Sequence, residues 1–234
     1  MIVFKFGGGS VYNAASIQQE ISIVKQFKKN KLLIVNSAFG KTTNALEELV
    51  KSYYYARKDV NKILHEIKTN HLKIMSELFA ENDLVYRAVN NDFNELEKKL
   101  EKKPKGEFDF IYDQIVCFGE LISTKIVHAY LIKSKTQSYW LDARKFIKTD
   151  NSYREGRINW EATTKLIYAS IPNILNNTTI ITQGFIGSTN KNHTTTLGRE
   201  GSDFTASIFA SILKAKSLTI WKDVEGILNA DPKE

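Results

Sequence analysis

Two short apolar runs, Ile2 to Phe6 and Leu32 to Val35, frame an amphipathic stretch from about Asn13 to Lys28. A short continuous apolar run bounded by turn signals reads as a strand buried on both faces, and such strands belong to parallel sheets covered by helices. The alternation continues along the chain. Leu46 to about Leu100 has helical periodicity, with breaks near Arg57-Lys58-Asp59 and Glu81-Asn82-Asp83, and Pro104-Lys105-Gly106 punctuates it. Phe108 to Ile132 is helical in pattern around Cys117-Phe118-Gly119-Glu120. Gln137 to Leu141 and the β-branched run Thr179 to Ile186 read as strands, then a turn over Gly187 to Asn192 returns through Thr194 to Thr196. A helix from Asp203 to Leu213 and a strand from Leu218 to Trp221 follow, with Trp221 expected in the core. Strands alternating with helices predict a layered α/β fold with an open, mostly parallel sheet. No repeat or long linker divides residues 1–234, so one domain is expected.

The 234 residues are enough for a substantial core, and the single cysteine, Cys117, excludes an internal disulfide and a multi-thiolate metal site. That usage fits a reducing compartment, and a cytoplasmic location is expected. No apolar run reads as a membrane span, and Met1 to Lys5 is too short for a signal peptide, so no membrane partner is expected. The formal charge of +7 raises the question of nucleic acid. The lysines are dispersed, however, and the densest cluster, Glu95 to Lys103, interleaves both signs like a solvated helix face, so no nucleic-acid partner is expected. His65, His71, His128 and His193 have no metal-like spacing, and no metal site is expected from protein ligands.

Chemistry concentrates in Thr194-Thr195-Thr196-Leu197-Gly198-Arg199-Glu200-Gly201-Ser202-Asp203. The glycines let the backbone turn and approach a ligand, and Ser202 or Asp203 is a good N-cap for the helix that follows. Unpaired amides of a first helical turn attract a carboxylate or phosphate, and Arg199 adds a planar fork for two parallel hydrogen bonds. An ordinary capped helix with solvated Arg199 and Glu200 would have the same local sequence. The first strand ends in Lys5-Phe6-Gly7-Gly8-Gly9-Ser10, where a glycine-rich loop can offer amides to phosphate and Lys5 can neutralise charge on a phosphoryl group. It is not a Walker loop, because the lysine precedes the glycines.

Taken together, Lys5-Phe6-Gly7-Gly8-x-Ser10, Phe118-Gly119-Glu120, the Thr194 to Asp203 run and Ile220-Trp221-Lys222-Asp223-Val224-x-Gly226 resemble the aspartokinases, within the wider amino-acid kinase superfamily. The resemblance implies a three-layer αβα sandwich that is incomplete at the C-terminus, lacking the last part of the kinase domain and the regulatory ACT-type domains. It implies transfer of the γ-phosphoryl group of ATP, accompanied by Mg²⁺, to the side-chain carboxylate of L-aspartate, the step that opens lysine, threonine and methionine biosynthesis. By motif, Lys5 would face the β- and γ-phosphates and Asp203 would organise Lys5. Arg199 would clamp the α-carboxylate and Glu120 would accept the α-ammonium, with Ser37, Thr43, Gly201 and Ser202 completing the substrate pocket. Gly7, Gly8, Gly9, Ser10, Lys222, Asp223 and Lys233 would serve the nucleotide. Gly9 replaces the threonine usual in the family, and Leu228 replaces an aromatic residue found in some members. Two other readings stay open at this point: a different amino-acid kinase, and a shortened paralogue that binds aspartate or nucleotide without turnover. A homodimer is compatible with the sequence, which does not set the oligomeric state.

Overall fold

The computed structural model describes residues 1–222. Its centre is a five-stranded sheet in the order β3-β4-β2-β1-β7, with β1 Ile2–Phe6, β2 Leu32–Asn36, β3 Ser138–Leu141, β4 Thr179–Gln183 and β7 Ser217–Trp221. Every pairing in this sheet is parallel, from Ile2 beside Leu32 to Leu141 beside Thr182. β1 and β2 are buried along their whole length, the charged Lys5 and the polar Asn36 included. Trp221 closes the last strand by stacking on Phe6, with ring centroids 5.9 Å apart and planes 6° apart, so it packs on the sheet as expected.

Helices cover both faces. Right-handed crossovers that step one way along the sheet place α1 (Ala14–Gln26) and α6 (Phe118–Lys133) on one face. Those stepping the other way place α7 (Trp160–Leu175) and α8 (Gly201–Ile212) on the opposite face. The remaining helices, α2 (Thr42–Tyr54), α3 (Val60–Leu78), α4 (Leu84–Leu100) and α5 (Phe108–Val116), extend the α1/α6 layer. The gaps between α2, α3, α4 and α5 fall at the predicted breaks, whereas α2 begins four residues before Leu46 and the stretch from Phe108 to Ile132 divides at Cys117 into α5 and α6. α1 opens with a reciprocal capping box, the Asn13 side chain accepting from the Ser16 amide at 2.8 Å.

Several expectations are corrected. The run Thr179 to Ile186 is not one strand: β4 ends at Gln183, and Ile186–Ser188 (β5) pairs antiparallel with Thr194–Thr196 (β6) in a separate hairpin. Phe185 makes the change of direction at φ 69°, a conformation that β-branched and aromatic residues adopt only under constraint. The stretch Phe108–Lys133 is as long and apolar as a membrane span, with mean hydropathy 1.5, contrary to the reading that no run approaches one. Its apolar window is 72% buried within the fold, where α5 and α6 form a core helix pair. Finally, α7 lies in a stretch for which no element was predicted.

The junction between β4 and α8 is the closest approach at any described glycine. A Cβ added to Gly184 would lie 2.5 Å from the Ser202 Cβ, so the first turn of α8 rests directly on the backbone leaving β4. Thr205 at the second turn accepts the Phe185 amide through Oγ1 at 3.0 Å. Gly184→Ala is expected to lower stability by about 1–3 kcal/mol through overpacking, and Gly184→Ala with Ser202→Gly to recover most of that loss, as measured by thermal unfolding.

Candidate active site

The carboxyl ends of β2 and β4 are the place where neighbouring strands send their connections to opposite faces of the sheet, and crevices form at such switch points. A cleft of about 840 Å³ opens there. Its floor is made by the loops after β1 and β2, one wall by the first turns of α6 and α8, and the other by the segment Ser152 to Glu155. The two floor loops touch through backbone: the Gly40 amide donates to the Gly8 carbonyl at 3.0 Å, and a Cβ on Gly8 would lie 3.0 Å from the carbonyl oxygens of Ala38 and Gly40.

The sequence-predicted residues Lys5, Gly8, Ser37, Thr43, Glu120, Arg199, Gly201, Ser202 and Asp203 all line this one cleft. Lys5 points from the end of β1, 6% exposed, with Nζ 2.7 Å from Asp203 Oδ1. Lys222 approaches the other oxygen of Asp203 at 3.5 Å. Burial alone would raise the Asp203 pKa, but the Lys5 hydrogen bond and the charges of Lys5 and Lys222 outweigh it and hold the carboxyl below its usual range. Asp203 is therefore an anion that fixes the Lys5 ammonium at the mouth of the glycine loop.

Glu120 stands at the start of α6 and is 2% exposed. Its Oε1 accepts the Ala38 amide at 3.4 Å, whereas Oε2 is buried without a hydrogen-bond partner. Burial pushes its pKa up to about 8. The helix that carries it is locked to the sheet: Thr124 donates to the Glu120 carbonyl at 2.7 Å and accepts from Gln183 Nε2 at 2.9 Å. A buried carboxylate with one free oxygen facing a cleft is a site for a cation.

The expected cap is corrected. Glu200, at φ 56°, is the N-cap residue of α8, and Ser202 and Asp203 lie inside the first turn; the Gly201 amide is spent on the Gly198 carbonyl at 3.1 Å, which leaves those of Ser202 and Asp203 without an intrahelical acceptor. Arg199, exposed, lies between the left-handed residues Gly198 and Glu200 and lines the cleft with that first turn. The hydroxyls of Ser37 and Thr43 face the same space, and neither is committed to another described residue. Ser37 is held by its backbone, the amide donating to the Phe6 carbonyl at 3.2 Å and the carbonyl accepting Ser123 Oγ at 3.0 Å.

The residues assigned to nucleotide divide. Gly9, Ser10 and Lys222 line a smaller adjoining recess of about 340 Å³, Gly7 sits against Lys5, and Asp223 and Lys233 lie outside the described residues, as do Val224, Gly226 and Leu228. The Ser10 hydroxyl donates to the Trp221 carbonyl at 3.1 Å, which ties the glycine loop to the end of β7. His71 is buried and hydrogen-bonds the Ile67 carbonyl, His128 that of Ser138, His193 meets the Phe110 ring edge-on, and His65 faces solvent.

Sequence reasoning missed the wall of the cleft formed by Ser152 to Glu155, and Asp113, which builds it. Asp113 is fully buried, and its Oδ2 accepts the amides of Arg154 and Thr196, each at 3.0 Å, while Oδ1 accepts the Thr196 hydroxyl at 2.7 Å. Burial raises its pKa to about 6 against those three bonds. An aspartate one turn into an apolar helix gives no sign of this role, because its partners lie 41 and 83 residues away.

The chain matches the amino acid kinase family over residues 1–234. It is 32% identical to lysine-sensitive aspartokinase 3 of Escherichia coli, over 100% of this chain and 51% of that protein. It is likewise 32% identical to the aspartokinase of Chlamydia pneumoniae, over 99% of this chain and 49% of the relative. The crystal structure of E. coli aspartokinase III in complex with aspartate and ADP superposes with a TM-score of 0.92 at 31% identity, covering 100% of this chain and 51% of the other. The chain thus spans about half the length of the curated relatives it matches.

Glu20 on α1, buried against Asn36, has its pKa raised by burial to about 8, as Glu120 does. Both carboxyls keep protons in the folded chain that the unfolded chain releases, so their contribution to stability is full below about pH 4.5 and is lost as pH rises through about 8. Glu120→Gln is expected to make this decline shallower by about 1.4 kcal/mol per pH unit and to leave the variant more stable than the parent above pH 8, measured by urea unfolding across that range.

Proposed function

The chain belongs to the amino acid kinase family, and we propose that it transfers the γ-phosphoryl group of ATP to the side-chain carboxylate of L-aspartate, giving 4-phospho-L-aspartate for lysine, threonine and methionine biosynthesis. The observation that carries this reading is that one cleft is lined both by buried Glu120, with an oxygen unpartnered among the described residues, and by Arg199 with the first turn of α8. Those groups match the ammonium and α-carboxylate of a free amino acid. The related aspartokinase III crystallised with aspartate and ADP supports the same pair of ligands.

In this reading Glu120 accepts the α-ammonium, and Arg199 with the amide of Ser202 takes the α-carboxylate, while Gly201, its amide held by the Gly198 carbonyl at 3.1 Å, shapes the turn beside it. Thr43 and Ser37 then orient the side chain. One oxygen of the distal carboxylate attacks the γ-phosphorus, the bond to the bridging oxygen breaks, and ADP leaves with that electron pair. Bringing two anions together is the main barrier, so catalysis consists chiefly of positioning and charge neutralisation. Lys5 supplies the neutralising charge at the transferred group, and Asp203 keeps it in place at 2.7 Å. Gly7, Gly8, Gly9 and Ser10 offer the loop that receives phosphate, and Lys222 stands at its edge. Mg²⁺ bound to ATP would screen the phosphate charge. Such an ion is commonly held by phosphate oxygens and water with few protein ligands. The one free cysteine, buried Cys117, suits a cytoplasmic location.

A coupled ADP-release assay with ATP, Mg²⁺ and a panel of amino acids tests the reading. Aspartate-dependent turnover is expected, with Lys5→Ala reducing it by about 10²–10³-fold. Turnover with glutamate and none with aspartate would overturn the assignment. Since the Glu120 carboxyl sits at about 8 in the free cleft and must ionise to meet an ammonium, aspartate binding at pH 7 is expected to release close to one proton. Calorimetry in buffers of differing ionisation enthalpy reads that release, and Glu120→Gln should abolish it.

A further inference from the structure

Arg154 combines features that a bystander residue would not need. It lines the same cleft as Glu120 and Arg199, and its backbone is left-handed at φ 67°. A long side chain at that φ is strained, and such strain persists where the surroundings over-determine it. Here the determinant is visible: the Arg154 amide donates to buried Asp113 Oδ2 at 3.0 Å, the oxygen that also fixes Thr196 two residues before Gly198. One carboxylate therefore sets both Arg154 and the strand that leads to Arg199.

The guanidinium is held by its face and free along its edge. Its carbon lies 4.4 Å from the centroid of the Tyr112 ring, with Phe108 at 6.0 Å. Asp109 at 3.5 Å and Glu47 at 4.0 Å are long ion pairs, and among the described residues the Arg154 guanidinium donates no hydrogen bond. With 41% of the side chain exposed, its fork of donors is both oriented and unspent. The flanking carboxylates keep the cation in place without saturating it.

We infer that Arg154 is a second anion-recognising residue of the acceptor site, taking a carboxylate of the amino-acid substrate opposite the one held by Arg199 and so favouring dicarboxylic over monocarboxylic acceptors. This rests on the amino-acid kinase reading of the cleft. The amide of Asp113's partner residue is spent on the wall, so recognition falls to the guanidinium edge alone. Arg154 also answers a requirement of the reaction: an acceptor bearing two carboxylates is held best by two separate cations.

Arg154→Gly and Arg154→Met, made in the full 234-residue chain, separate this role from a structural one. Glycine relieves the left-handed backbone, so Arg154→Gly is expected to melt at or above the parent temperature. In both variants the KM and calorimetric Kd for L-aspartate should rise about tenfold, the loss expected of a charge-assisted hydrogen bond, with the KM for ATP within about twofold of the parent. L-alanine, bearing one carboxylate, should bind parent and variants alike. An unchanged aspartate Kd in a folded Arg154→Gly, or a rise confined to the KM for ATP, would overturn the inference while leaving the kinase reading intact. A parent that binds none of the amino acids would overturn both.

Discussion

The first turn of α8 lies so close to the end of β4 that only a hydrogen fits between them, and the cleft depends on that contact. Gly184 against Ser202 fixes the height of the helix above the sheet edge, and Phe185 fixes its direction by turning the chain away at a left-handed φ. From this position Asp203 reaches Lys5 on β1 across the intervening strand, β2. A helix set one turn further out would leave a buried lysine without its carboxylate, a costly state in a protein interior. Packing and electrostatics here express one constraint.

The two ends of the cleft use burial in opposite ways. At Asp203, nearby cations overcome desolvation and the carboxyl stays ionised. At Glu120, none of the described cations offsets desolvation, so the group waits in protonated form. The first is a permanent counter-ion that organises Lys5. The second acquires its charge when a partner arrives, which links occupancy of the site to proton release.

Much of the fold is legible in the sequence because its signals are local. The apolar runs of β1 and β2, the breaks between α2, α3 and α4, and the glycine loop each sit within a short window. What escapes is set by distant contacts. Glu200 becomes the N-cap of α8 because the chain is bent at Gly198, although Ser202 and Asp203 have the better capping chemistry. β4 stops at Gln183 because Ser202 demands the space beside Gly184, and nothing in the β-branched run Thr179 to Thr182 marks that limit. For α7 the apolar spacing of Ile167, Ile171 and Leu175 is present, but Pro172 inside it reads as a breaker. The motif-bearing part of the cleft is legible for the same reason as the strands. Its other wall hangs on Asp113, whose partners are far along the chain.

The strand order carries a consequence for how the molecule is made. β1 is synthesised before the other described strands, yet it lies inside the sheet, and its second neighbour is β7, more than 200 residues further along the chain. The bond from Ser10 to Trp221 spans 211 residues. Until β7 emerges from the ribosome, β1 can pair with β2 but presents an open apolar edge on its other side. Such long-range parallel pairing is slow and leaves edges available to other chains. The glycine loop therefore gains this tether only after β7 has emerged, and the nascent chain must be kept from associating through β1 until then.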